Sequence, residues 1–350
     1  MTIKDLAKLA GVSHSTVSRS LNDSPLISKE TKERIKKLAR EHHFDLNASA
    51  RSLSTRRTGT IGIICSEVYD AQRNSLYIAQ LLDLIRINLD ASAYDSIITF
   101  PENKSTGESN IRRLITQKKV DGLLLIIPNL AEEDRELIER YSLPHIFLHF
   151  KHGHFDGPAE YIYSDHFRGG YLAGEHLIRS GRNRIITMTE DLTKTEYFDR
   201  TEGFLAALND NGIEPAEDHI LYGEVSFDYG FKSIVDNKVV LDRIDGIFAQ
   251  ADIVALGAIE ALRELGYRVP KDIGVIGYDD ILLGGLFRPR LTTVHQPKEQ
   301  QANLGVKRLL EIIGEDEPPA GPPLRKIVEP VLVVRDSCSR ELRSGDKVYL

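Results

Sequence analysis

The sequence predicts an α/β protein with an all-α head: a helix-turn-helix, a short helix and linker, then two lobes built on parallel sheets. Three observations lead there. The first 22 residues read as two short helices around a Gly turn. From Thr60 onward short apolar runs alternate with helical patterns, which is how βαβ units appear in sequence. The charge also reverses: residues 1–59 hold 12 Lys plus Arg against 6 Asp plus Glu, whereas the whole chain is −7, leaving −13 for the body.

In the head, Thr2 is placed to cap the first helix, and Asp5, three residues on, completes a capping box. Leu6, Leu9 and Ala10 fall on one apolar stripe. Ala7 is small enough for a close helix crossing, and Gly11 suits the positive φ of a C-cap. Ser13 is a good N-cap for the second helix, whose inward face is Val17 and Leu21. Ser28 caps a third helix running to about His42, with Ile35 and Leu38 facing in. An ordinary helical hairpin would show similar caps. The charge separates the two readings: a basic head on an acidic body suits a head that meets phosphates. A solvated helix face explains residues 29–40 but not the sign reversal after residue 59.

Residues 45–59 read as a short helix, with Asn47 as N-cap, and a polar linker. A helix of this length is marginal alone in water. In the body, buried strands are expected at 60–65, 96–100, 122–127, 145–148, 184–189, 246–249 and 273–277, with helices such as 76–89 and 200–209 between them. Roughly 280 residues exceed one compact core and fit two lobes. Ligands of such sheets bind beyond the C-terminal strand ends, so the cleft between lobes is the expected small-molecule site.

Several chemistries find no support. Two Cys, Cys65 and Cys338, imply a reducing compartment without a disulfide framework. The chain opens on no apolar signal segment and has no apolar run near 18 residues, so a cytoplasmic protein without a membrane partner is expected. The spacing of His145, His149, His152 and His154 matches no zinc pattern, so no metal is expected. No dinucleotide, Walker or nucleophile-elbow motif is present, so neither a cofactor nor an enzyme is expected. The tail, 337–350, is polar without Leu heptads, which favours a dimer over a coiled-coil tetramer.

Ordered along the chain are Thr2-Ile-Lys-Asp-Leu-Ala7, Ala10-Gly-Val-Ser13, Thr16-Val-Ser-Arg19, Asn22, Ala50-Arg-Ser-Leu53 and Val120-Asp-Gly-Leu123. Phe167-Arg-Gly-Gly-Tyr-Leu-Ala-Gly174, Arg200-Thr-Glu-Gly-Phe204, Ala255-Leu-Gly-Ala258, Ile276-Gly-Tyr-Asp-Asp280 and Leu291-Thr-Thr-Val-His-Gln-Pro297 continue the series. In these segments the chain, to about Arg335, resembles the lactose-repressor and purine-repressor family of bacterial transcription regulators. The resemblance implies two doubly wound lobes of the periplasmic-binding-protein type, joined by three crossovers placed near 161–164, 290–293 and 318–324. The implied division is 1–45 for the head and 46–59 for the hinge helix and linker. Residues 60–162 with 292–320 form the N-terminal lobe, 163–290 with 321–336 the C-terminal lobe, and 337–350 the tail.

The resemblance also implies roles. His14, Ser15 and Arg19 would read base edges, and Arg19 suits guanine O6 and N7. Ser13, Thr16, Ser18 and Asn22 would hold phosphates. Leu53, on a hinge helix paired with its twin, would wedge into the minor groove. In the cleft, Arg200 and Asp279 would hold the effector, with Tyr69, Gln72, His149, Asp165, Phe227 and Asp252 as further candidates. The chain departs from its relatives at Leu46, often Pro; at His149, often Asp; and at Val225, where the lactose repressor has a stacking Trp. No Trp occurs in the chain. The implied protein is a homodimeric repressor on a pseudo-palindromic double-stranded operator, with a small carbohydrate as expected effector. The alternative is a small-molecule binding protein without DNA function, against which the basic head argues.

Overall fold

The computed structural model describes residues 1–44, 57–66, 76–150, 159–215, 219–237, 241–314 and 322–338. The hinge with Leu53 and Asn47, and the loop with Tyr69 and Gln72, lie outside them. The head packs α1 (Ile3–Ala10), α2 (His14–Leu21) and α3 (Lys29–Glu41) around fully buried Leu6, Val17 and Ile35, with Ala7, Ala10 and Ala39. Leu9 departs from expectation: it is 54% exposed. The helix turns Leu6, Ala7 and Ala10 toward its partners, and the i+3 position of Leu9 lies beyond that contact.

The first lobe holds β1 (Thr60–Cys65), α4 (Leu76–Ala91), β2 (Asp95–Thr99), α5 (Asn110–Thr116), β3 (Gly122–Ile126), α6 (Glu132–Arg140), β4 (His145–Leu148) and β5 (Tyr161–Ser164). The second holds α7 (His166–Arg179), β6 (Ile185–Thr189), α8 (Thr195–Asp210), β7 (Ile220–Tyr222), α9 (Phe227–Asp236), β8 (Gly246–Ala249), α10 (Asp252–Glu264), β9 (Gly274–Tyr278), α11 (Leu282–Leu286) and β10 (Thr292–His295). The chain then returns with α12 (Lys298–Gly314) and β11 (Arg325–Val328) to the first lobe, and ends with β12 (Val331–Val333) in the second.

The first sheet runs β11-β5-β4-β3-β1-β2, all parallel. The second runs β12-β10-β9-β8-β6-β7, with only β12 antiparallel. Alternate residues of β3 explain its unbroken apolar run. Leu124 and Ile126 join the core under α4 and α12, while Leu123 and Leu125 join the core under α5 and α6.

The chain crosses between lobes three times; the first crossing lies at the end of the expected stretch 161–164, and the other two lie elsewhere. The first follows Ser164, since β5 still pairs in the first sheet and α7 begins the second lobe. The second falls at Gln296-Pro297, since β10 pairs with β9; residues 292–295 therefore belong to the second lobe, not the first. The third falls at Glu329-Pro330. Residues 325–328 pair with β5 in the first lobe, not the second. The Pro-rich stretch at 318–323 suggests a lobe linker, but the elements on either side of it, α12 and β11, belong to one lobe.

Helices α7 and α8 touch through glycines. A Cβ on Gly203 would collide with the Phe167 carbonyl, and one on Gly170 with the Arg200 carbonyl. Gly203→Ala should therefore destabilise the chain by about 1–3 kcal/mol in urea unfolding, because the backbones must separate. An unchanged midpoint would mean that the two helices have room to part.

Candidate DNA-reading head and effector cleft

The start of α2 is fixed by local hydrogen bonds. In α1, the Asp5 N–H donates to Thr2 Oγ1 (3.3 Å) and the Thr2 N–H to Asp5 Oδ2 (2.9 Å), closing the capping box. Gly11 ends α1 at φ 64°, and the Val12 N–H donates to the Ala7 carbonyl at 3.1 Å. Ser13 Oγ accepts from the Thr16 N–H at 3.1 Å and lies 2.8 Å from Ser15 Oγ and 2.9 Å from Thr16 Oγ1. Val17 points into the core, which leaves His14, Ser15 and Arg19 exposed on the outer side of α2. Ser13 is exposed as well, and Thr16, Ser18 and Asn22 are half-buried around that face. The capping bond makes Ser13 part of the helix start whether or not it also meets a phosphate.

The second site lies where strand ends of both lobes meet. Arg200, on α8, is 3% exposed. Its Nε donates to His166 Nδ1 at 3.2 Å, its Nη1 to the Gln250 carbonyl at 2.6 Å, and its guanidinium stacks 3.8 Å from the Tyr278 ring centre and 5.0 Å from that of Tyr197. Asp279 follows β9 with φ 114° and accepts from Gln296 Nε2 at 2.7 Å. Across the junction, His149 ends β4 with φ 73°; its ring lies 5.0 Å from that of Tyr77 and 6.1 Å from that of His166. Lys298 Nζ, at the start of α12, donates to the carbonyls of Asp280 (3.1 Å) and Asp279 (3.4 Å) and lies 6.0 Å from the Tyr77 ring centre. The junction therefore brings together an Arg, a Lys, a carboxylate and several aromatic rings.

Burial, with the Arg200 charge added, pushes His149 down to about 3, so its imidazole is neutral at physiological pH. Its Nδ1 is buried and has no partner among the described residues, as is true of Gln296 Oε1. Burial raises the Asp279 carboxyl to about 6 against the opposing pull of Arg200, Gln296 and Lys298. Its neighbour Asp280 goes the other way. Burial would raise it, but hydrogen bonds from His295 (3.0 Å) and Arg335 (2.6 Å) bring it to about 2. Thus Asp279 faces the cleft while Asp280 ties the crossing segment to the second lobe.

The raised Asp279 value has a direct consequence for stability. Its ionisation penalises the folded chain fully above about pH 6 and not at all below its ordinary value of 3.8. Asp279→Asn should therefore stabilise the ligand-free protein at pH 7.5 by on the order of 3 kcal/mol. The gain should fade as the pH falls from about 6 to 4. A gain that is independent of pH in paired melting curves would assign it to packing instead.

The remaining candidates sit differently. Asp165 caps α7, accepting from the Arg168 N–H at 2.8 Å, and stands at the first crossing. Asp252 is fully buried, with one oxygen accepting from Thr293 Oγ1 (2.5 Å) and the other from the Ile281 N–H (2.8 Å), so it braces β10 and the loop after β9 instead of meeting the cleft. Phe227 packs with Val225 and Tyr229 against the core of the second lobe. Sequence reasoning does not single out Tyr77, His166, Tyr197, Gln296 or Lys298. Gln296 stands in a quoted motif, but Tyr77 and Lys298 reach the junction from helices far apart in sequence.

Comparison with known proteins decides the family. The model of bacterial regulatory proteins of the lacI family matches residues 2–47, and the periplasmic binding protein-like domain matches residues 175–338. The HTH-type transcriptional repressor PurR of Mannheimia succiniciproducens is 31% identical over 342 residues, covering 97% of this chain and 99% of that protein. The chain belongs to the LacI family. Among solved structures, the lac repressor dimer bound to operator and the anti-inducer ONPF is similar with TM-score 0.78 and 26% identity, covering 97% of this chain and 99% of that one. A transcriptional regulator CelR–cellobiose complex is similar with TM-score 0.68 and 27% identity, covering 96% and 99%. This LacI-family chain is accordingly a DNA-binding, ligand-responsive repressor. No helix among its described residues is long and apolar enough to cross a membrane.

Proposed function

We propose that this LacI-family chain acts in the cytoplasm as a homodimer on a pseudo-palindromic operator, and that a small carbohydrate between its lobes sets operator affinity. One observation above all supports the cleft assignment. Arg200 and Asp279 of the second lobe lie at the same junction as the buried, unpartnered His149 Nδ1 of the first. Buried polar groups without partners are costly, and a polyol spanning the junction supplies donors and acceptors to both sides. A ligand that touches both lobes changes the angle between them. It shifts operator affinity only by its differential affinity for the two lobe arrangements. On the DNA side His14, Ser15 and Arg19 read bases, Ser13, Thr16, Ser18 and Asn22 hold phosphates, and Leu53 enters the minor groove at the operator centre. A head that reads half a palindrome needs a twin.

A nucleobase is the second reading. It is favoured by the near full-length similarity to repressors named PurR and by the rings of Tyr278, Tyr197, Tyr77 and His149 at the junction. A thermal-shift screen of sugars against nucleobases separates the two, because a ligand of the folded state raises its melting temperature. Stabilisation by sugars alone supports the first reading, and by nucleobases alone the second. Leu53→Ala should weaken operator binding and reduce DNA bending in a gel-shift titration. Unchanged affinity and bending would remove the wedge.

A further inference from the structure

The junction holds two buried cations, Arg200 (3% exposed) and Lys298 (6% exposed). Neither forms an ion pair with a carboxylate among the described residues. Arg200 spends Nε and Nη1 on His166 and the Gln250 carbonyl, and Lys298 spends Nζ on two main-chain carbonyls. The same guanidinium also lies against the Tyr278 ring, so its partners among the described residues are a ring nitrogen, a main-chain carbonyl and aromatic faces. Among the described residues the opposing charge is thin: Glu196 also faces Arg200, but burial raises its pKa. Asp279 is the carboxylate that feels both cations, and burial raises its pKa. Asp280 is already held by Arg335 and His295, and both oxygens of Asp252 are taken within its own lobe. His149 is neutral. Buried charges are normally paired, and a low-dielectric site with surplus positive charge is completed by an anion.

We propose that the ligand of this cleft is an anionic sugar, a polyol bearing a carboxylate or a phosphate, whose negative group is neutralised by Arg200 and Lys298. This deepens the carbohydrate reading above and rests on it. Asp279 and His149 are then left for the ligand's hydroxyls, the groups that a neutral sugar and its acid share. A guanidinium suits a carboxylate or phosphate oxygen, and a lysine ammonium acts as a point charge beside it.

The test is calorimetric titration of the full chain with matched sets: glucose, glucuronate, gluconate and glucose 6-phosphate, and the galactose equivalents. At least one acid should bind about tenfold or more tightly than its neutral parent. Uronate or aldonate against phosphate then tells which anion the site takes. The advantage should disappear in Lys298→Met and survive in Lys298→Arg, which keeps the charge if the shorter chain perturbs folding. Neutral sugars binding as tightly as their acids would overturn the anionic assignment and leave the carbohydrate cleft standing. Binding of nucleobases with no response to any sugar would overturn both. An acid preference that persists undiminished in Lys298→Met would remove Lys298 from the proposal's charge pair and so contradict it.

Discussion

Arg19→Ala should lower operator affinity by about 1–3 kcal/mol, roughly 5- to 150-fold, and relax the preference at one base pair in each half-site. The head itself should survive the change. Arg19 is exposed on α2, whereas the residues that hold α2 in place are Val17, fully buried, and the Ser13 cap. The loss is therefore a recognition loss rather than a folding one. A guanidinium that forks onto a guanine edge contributes to one sequence and not to others, so binding to random duplex should fall much less. Equal losses on operator and random duplex would make Arg19 a phosphate contact, and the base reading would pass to His14 and Ser15.

Arg200→Ala should remove the effect of ligand on operator binding. Truncating one side of a buried, hydrogen-bonded charged contact costs about 2–5 kcal/mol, so ligand affinity should fall by on the order of 30-fold or more. The change also strips Tyr278 of its stacked cation and His166 of a donor, both on the second lobe's side of the junction. Two titrations check this: calorimetry with the ligand found by screening, and operator anisotropy with and without that ligand. Melting curves of the variant report any general loss of fold. A variant that still responds at the wild-type ligand concentration would take Arg200 out of the site.

Much of the head was legible because its determinants are local. Thr2, Asp5, Gly11 and Ser13 each act within a few residues of themselves, and the structure uses all four as caps or turn residues. Leu9 was misread because periodicity gives a spacing, while the packing of α2 and α3 decides which residues at that spacing are covered. In the body, strands such as Thr60–Cys65 and Gly246–Ala249 stood out because burial on both faces makes them continuously apolar. Tyr161–Ser164, Ile220–Tyr222, Thr292–His295, Arg325–Val328 and Val331–Val333 did not. Arg325–Val328 is mostly exposed, and its pairing with Tyr161–Ser164 reaches across more than half the body. That single pairing moves the third crossing from the Pro-rich stretch to Glu329-Pro330. In the cleft, the motifs around Arg200 and Asp279 lead to two residues that the fold brings to one junction. Asp252 carries similar chemistry, but its partners Thr293 and Ile281 are set by the tertiary fold. Tyr77 and Lys298 had no signal at all, since one is an aromatic and the other a charge at ordinary helix starts.

The central claim, that two basic heads read a symmetric duplex site, is tested most directly by selecting bound sequences from a pool of randomised duplexes with the full chain. The account predicts a pseudo-palindromic consensus: two inverted half-sites about a central step, each with a guanine that loses its enrichment when Arg19→Ala is used instead. Recovery of no consensus, or of a single asymmetric half-site, would contradict it.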